Sequence, residues 1–151
     1  MTKLYASYRP RDRIVNAGLA AEAGTLRYHR FEEAALNGCY GQNLADEHRS
    51  KGFSYLGSSE LPCIGVGDFL KSVPTRVDLL NLDVETMDAE ILGAWDCSVC
   101  RPSAICVEIH AADVRSMLIN PITEILDNTG YVPVCRGLMS TIFVDADHIN
   151  R

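Results

Sequence analysis

The run Val77-Asp78-Leu79-Leu80-Asn81-Leu82-Asp83-Val84-Glu85, taken with Ala104-Ile105-Cys106-Val107-Glu108-Ile109-His110, decides how this chain is read. Each is a near-continuous apolar run ending in carboxylates, the pattern of strands covered by helices on both faces of a parallel sheet. Between them the period changes: Met87, Ile91, Leu92 and Trp95 fall at helical spacing, and Asp88 and Glu90 sit in the first turn, where the helix dipole favours negative charge. Thr86 is the expected N-cap. Gly93, which costs about 1 kcal/mol relative to Ala in a helix, keeps the segment short. The result is strand, helix, strand. In open α/β sheets the reactive crevice lies beyond the carboxyl ends of parallel strands, so Asp83, Glu85, Glu108 and His110 are expected along one rim.

That rim carries the expected chemistry. Glu108 and His110 share a face by period two, and a carboxylate beside an imidazole orients it as a general base that draws a proton from a hydroxyl. The plainer account of His110 is a histidine packed at a strand end. Asp83 and Glu85 alternate with Leu82 and Val84 and are read as positioning cofactor or acceptor; the plainer account makes one a helix cap and the other a solvated acid. Four such oxygen and nitrogen donors also suit a divalent ion, but no metal is expected.

Working outward, Ile14 to Ala20 reads as a short buried strand and Thr25 to Phe31 as an alternating one, together a hairpin. Residues 32–61 are rich in Gly, Ser, Asn and charge, with a short helix expected around Leu44 to Lys51. A loop this long is usually functional, so the span is read as a mobile lid whose Asn37, Tyr40 and Asn43 line an acceptor pocket. His29 and His48 are expected at the surface. Pro62 to Val66 reads as a short strand, with Asp68 capping a brief helix that Pro74 ends. Asn120-Pro121 is an N-cap and first-turn pair, Ile122, Ile125 and Leu126 give an apolar face, and Gly130 ends that helix. Tyr131 to Val134 and Ser140 to Val144 read as two closing strands.

At 151 residues, 47% apolar and 23% charged, the chain has the size and composition of one globular domain. A net charge of -6 disfavours nucleic-acid binding, which needs clustered Lys and Arg. No window approaches the roughly 20 apolar residues of a membrane span, and Met1 to Tyr5 lacks the apolar core of a secretion signal, so the expected compartment is the cytoplasm. The six cysteines show no disulfide framework. Cys97 and Cys100 have the spacing of zinc or redox pairs, but no second ligand pair lies near and the pair follows its helix rather than opening it. Reduced thiols are expected.

Leu80-Asn81-Leu82-Asp83-Val84-Glu85-Thr86-Met87-Asp88-Ala89-Glu90-Ile91-Leu92, followed by Asp96, Arg101-Pro102 and Ile105 to His110, resembles the FkbM-type family of S-adenosylmethionine-dependent methyltransferases. Weaker matches are Arg9 to Asp12, Val15 to Ala20, Gly24 to His29, Asp68 to Leu70, Gly130-Tyr131 and Ser140 to Val144, so the resemblance covers most of the chain. The family's Asp-Val-Glu-Gly is here Asp83-Val84-Glu85-Thr86. Its earlier strand, glycine-rich loop and ribose-binding acid have no counterpart; Gly65-Val66-Gly67 lacks a third glycine and precedes a short helix.

The resemblance implies a Rossmann-like class I methyltransferase fold, α/β, with a mostly parallel sheet and a C-terminal antiparallel hairpin, residues 1–151 being one partial domain truncated at its N-terminus. It implies S-adenosylmethionine as cofactor, with an incomplete site in which Gly18, Leu19 and Asp83 make contacts. The expected reaction is methyl transfer to a hydroxyl of a sugar or other small molecule, with His110 as base, Glu108 orienting it, and Asp83 or Glu85 positioning cofactor or acceptor. The alternative is a non-catalytic fragment or interaction module that keeps the second half of the fold; a metal-dependent hydrolase is a third reading. The missing strands would lie between the Ile14–Ala20 and Val77–Val84 strands, so the chain is expected to form a homodimer through that gap or to aggregate.

Overall fold

The computed structural model describes residues 5, 7–33, 40–73, 76–84 and 87–149. Among them β1 (Gly18–Ala20), β2 (Gly24–Phe31) and β3 (Tyr55–Gly65) form a sheet in the order β1-β3-β2, and β4 (Leu79–Leu82), β5 (Ala104–Glu108), β6 (Tyr131–Arg136) and β7 (Ser140–Asp145) form a second in the order β4-β5-β7-β6. Only β1 with β3 and β4 with β5 run parallel. The other pairs are antiparallel. The α/β class and the closing antiparallel hairpin stand, but the expected mostly parallel sheet is two mixed sheets. Strand β7 inserts between β5 and β6, and β2 returns along β3, so each parallel pair is flanked by an antiparallel one.

Helices fully within the described residues are α1 (Gln42–Ser50), α2 (Val66–Leu70), α3 (Asp88–Gly93), α4 (Val114–Leu118), α5 (Pro121–Asn128) and α6 (Ala146–Ile149). None is long and apolar enough to cross a membrane. One apolar cluster joins the two sheets: Leu82, Ile105, Val107 and Phe143 meet Ile91 and Leu92 of α3, Ile122 and Leu126 of α5 and Val66 and Leu70 of α2, with Leu19 of β1 packed against them. Helix α5 begins as its sequence dictates. The Asn120 side chain accepts a hydrogen bond from the Ile122 amide at 2.9 Å, Pro121 follows it, and Gly130 leaves the helix at φ 84°. Helix α3 ends at Gly93, and the chain turns through Asp96, whose carboxylate accepts from the amide and hydroxyl of Ser98. Cys97 and Cys100 sit in this turn, where burial pushes both thiols up and so favours inert, protonated sulfur. The described cysteines carry thiols, and no cluster of metal-ligating side chains occurs among the described residues.

Several expectations for the first half change. Ile14 and Val15 are exposed, and the first strand is only Gly18–Ala20, ending in register with Gly65, where β3 turns into α2. Strands β1 and β2 do not form a hairpin; β3 lies between them. Strand β3 starts at Tyr55, well before Pro62, so residues 32–61 hold α1 and the first part of a strand as well as loop. Its alternation of half-buried and exposed residues through Gly57, Ser58, Ser59 and Glu60 is that of a strand with one solvated face. Gly65, not Asp68, is the residue before α2, and Asp68 pairs with Lys71 at 2.8 Å. Met87 precedes α3; Thr86 and Pro74 lie outside the described residues. His29 is buried, its Nδ1 3.0 Å from the Tyr55 hydroxyl, and His48 is half-buried, edge-on to Phe31 and Phe53.

Candidate active site

Strand β4 ends at Leu82, which is in register with Val107 of β5. Both side chains are buried in the core. One residue further on, Asp83 and Glu108 therefore stand side by side on the opposite face, at the carboxyl ends of a parallel pair, where such sheets place their ligands. Asp83 is exposed and Glu108 about four-fifths buried. His110 follows on the same side with its Nε2 3.5 Å from Glu108 Oε2, and its ring is 71% exposed. Facing Glu108 with Nε2 leaves Nδ1 open to accept a proton from solvent or from a bound hydroxyl.

A third carboxyl lies beneath these. Asp88 opens α3 and is 5% exposed, yet it sits within the field of the same rim. Its Oδ1 accepts a hydrogen bond from the Val84 amide at 3.3 Å, which ties the strand exit carrying Asp83 to the first turn of the helix. Burial drives its pKa up, and the carboxylates of Asp83 and Glu108 add to that rise against the pull of the backbone amides. In sequence Asp88 looks like any acid in a first helical turn, and the only signal that it differs is its place five residues after the strand-end acid Asp83.

The predicted cofactor and acceptor residues assemble elsewhere. A Cβ at Gly18 would come within 2.5 Å of Cys63 Sγ and 3.5 Å of the Tyr40 hydroxyl, so Tyr40 does fold over β1. Its ring lies 5.5 Å from that of Tyr28, and burial, then Cys63 and Tyr28, push its phenol up. Leu19 packs into the core. Asn43 is exposed on α1. Asn37 and Glu85 lie outside the described residues. Among the described residues no hydrogen bond or ion pair joins the Gly18–Tyr40 group to the Asp83–Glu108–His110 group.

The segment after β5 is held in place by the closing hairpin. Ile109 donates its amide hydrogen to Met139 O at 2.8 Å, and Arg136 on β6 donates to Ala111 O at 2.7 Å and to Ile109 O at 3.4 Å. Nothing in the sequence pattern pointed to Arg136, because its partners are backbone oxygens some 25 residues away.

What these groups can do is move a proton at His110 with a carboxylate behind it. No curated protein and no solved structure matches the chain. The model of the methyltransferase FkbM domain matches residues 4–133, which contain both groups of residues, strands β1 to β5 and the first half of β6, and the chain belongs to that family of methyltransferases.

Proposed function

We propose that this domain takes part in methyl transfer from S-adenosylmethionine to a hydroxyl of a sugar or other small molecule, with His110 removing the hydroxyl proton. The observation that carries the reading is the Glu108–His110 pair at the carboxyl end of a parallel strand, in a chain of methyltransferase family. An alcohol must lose its proton as the new bond to the methyl carbon forms. An imidazole held by a carboxylate is suited to take it. Glu108 orients the ring and stabilises the imidazolium that results.

The cofactor supplies an electrophilic methyl group on a cationic sulfur. The described residues suit part of it. Asp83 and Glu108 present carboxylates to a cationic group, but among the described residues the glycines with positive φ, at 52, 57 and 130, do not stand at a strand-to-helix turn on this rim. The side of Gly18 that a Cβ would occupy is filled by Cys63 and Tyr40 rather than open as a cradle. Only the proton-removing half of the reaction is therefore derived from these residues, and Asp83 is assigned to positioning.

The test is transfer of labelled methyl from millimolar S-adenosylmethionine to a panel of small acceptors offering hydroxyl, amine or thiol groups. Label on a hydroxyl oxygen is expected. Label confined to nitrogen or sulfur, or no label on any acceptor, counts against the reading.

A further inference from the structure

We propose that Arg136 is the positioning residue for His110, its guanidinium clasping the two backbone carbonyls that flank the imidazole and so setting the direction in which the ring leaves the rim. This inference rests on the reading of His110 as the base. The ring itself is 71% exposed and meets Glu108 at 3.5 Å on one nitrogen. The rest of its aim must come from the backbone beneath. That backbone, residues 109–111, lies beyond the last residue of β5 and is tied at three points to the closing hairpin. Arg136 Nη2 donates to Ala111 O at 2.7 Å, Arg136 Nη1 donates to Ile109 O at 3.4 Å, and the Ile109 amide donates to Met139 O at 2.8 Å.

The guanidinium is anchored from the other side by Thr141, a fully buried residue of β7 whose Oγ1 lies 3.3 Å from Nη1. All of Arg136's described hydrogen bonds go to carbonyl or hydroxyl oxygens of these few residues. A planar fork can span two carbonyls two residues apart, whereas an ammonium on a flexible stem reaches one. Downstream, Asp113 caps α4 by accepting from the Ser116 amide at 2.7 Å, and the amide and hydroxyl of Ser116 hold its carboxyl low, with a smaller contribution from the charge of Arg136. One side chain thus couples the hairpin to the His110 segment.

The test measures the three-bond couplings across the His110 side chain and the exchange of backbone amides, in the wild-type chain and in Arg136→Gln and Arg136→Lys. The wild type is expected to hold His110 in one rotamer. Both variants should average its rotamers and let the Ile109 amide exchange about tenfold faster or more, with the amides of Tyr131 and Phe143 unchanged. Where methyl transfer is measured, Arg136→Lys should lower kcat about tenfold with KM within about twofold. A wild type that already averages its His110 rotamers overturns the proposal, and so does either variant that keeps one rotamer in a folded core. The wild-type measurement decides even if Arg136→Gln fails to fold. Absence of methyl transfer would count against His110 as a base while leaving the rotamer result to judge Arg136.

Discussion

Arg101 grips Asp145 with two parallel hydrogen bonds, Nε to Oδ2 at 2.7 Å and Nη2 to Oδ1 at 2.8 Å, closing the turn before β5 onto the end of β7. The pair brings the start of one central strand to the end of its neighbour. Arg101 also donates to Thr129 O at 2.9 Å and lies 4.9 Å over the Tyr131 ring, whose hydroxyl donates to Pro102 O at 2.7 Å. These contacts hold together the loop that delivers β5, and with it Glu108, to the rim.

Asp145→Asn is accordingly expected to destabilise the fold by about 2 kcal/mol, below the 3–5 kcal/mol of a fully buried pair because the Arg101 side chain is about a third exposed. The pH dependence has a definite sign. The Arg101 guanidinium holds the Asp145 carboxyl down at about 2, so its stabilisation is complete above the unfolded carboxylate value of about 3.9 and is lost as pH falls from there through about 2. Urea unfolding of wild type and variant across that range should show the gap between them shrinking towards the acid end.

Asp88 has the opposite sign. Its carboxyl is raised by burial, so the stability linked to it is full below its unfolded value and is lost as pH rises through its folded value. Asp88→Asn keeps an acceptor for the Val84 amide and removes the buried charge, so it should be neutral or stabilising by up to about 1 kcal/mol at pH 7. Asp88→Ala loses the acceptor and should cost about 1–2 kcal/mol. Denaturant midpoints of the two variants check both; a clear loss in Asp88→Asn would mean that the ionised form is required.

The parts of the fold that were legible in the sequence are those fixed by local chemistry. Asn120-Pro121 and Gly130 bound a helix because caps act within one turn, and Ile91, Leu92 and Trp95 are buried because their spacing presents one face. The Glu108–His110 pair followed from period two alone. What remained hidden depends on distant partners. The first part of strand β3 reads as loop because its Gly57-Ser58-Ser59-Glu60 run is polar, and only the pairing with β2 makes that part a strand. His29 is buried because Tyr55, 26 residues away, meets it, and Arg136 finds carbonyls that no sequence pattern marks.

Each of the two sheets leaves an open edge beside its parallel pair. Among the described residues β1 and β4 each pair on one side only, and the β4 edge carries Leu79, 58% exposed, beside an outward row of Ala104, Val144 and Val132 in register. Edges of this kind template pairing with another chain. We propose that the chain associates with a second copy through them, and light scattering should report a dimer or larger species at micromolar concentration. A Leu79→Lys variant is expected to shift the distribution towards monomer. A monomeric wild type whose β1 and β4 amides are protected from exchange would refute the proposal.

The most direct test of the central claim compares methyl transfer to a hydroxyl acceptor by wild type, His110→Ala and Glu108→Gln at millimolar S-adenosylmethionine, with thermal unfolding as a check on structure. The account predicts a loss of about 100-fold or more for His110→Ala and about tenfold for Glu108→Gln, with unfolding temperatures little changed because the rim side chains lie outside the core. Transfer by His110→Ala at the wild-type rate would contradict it.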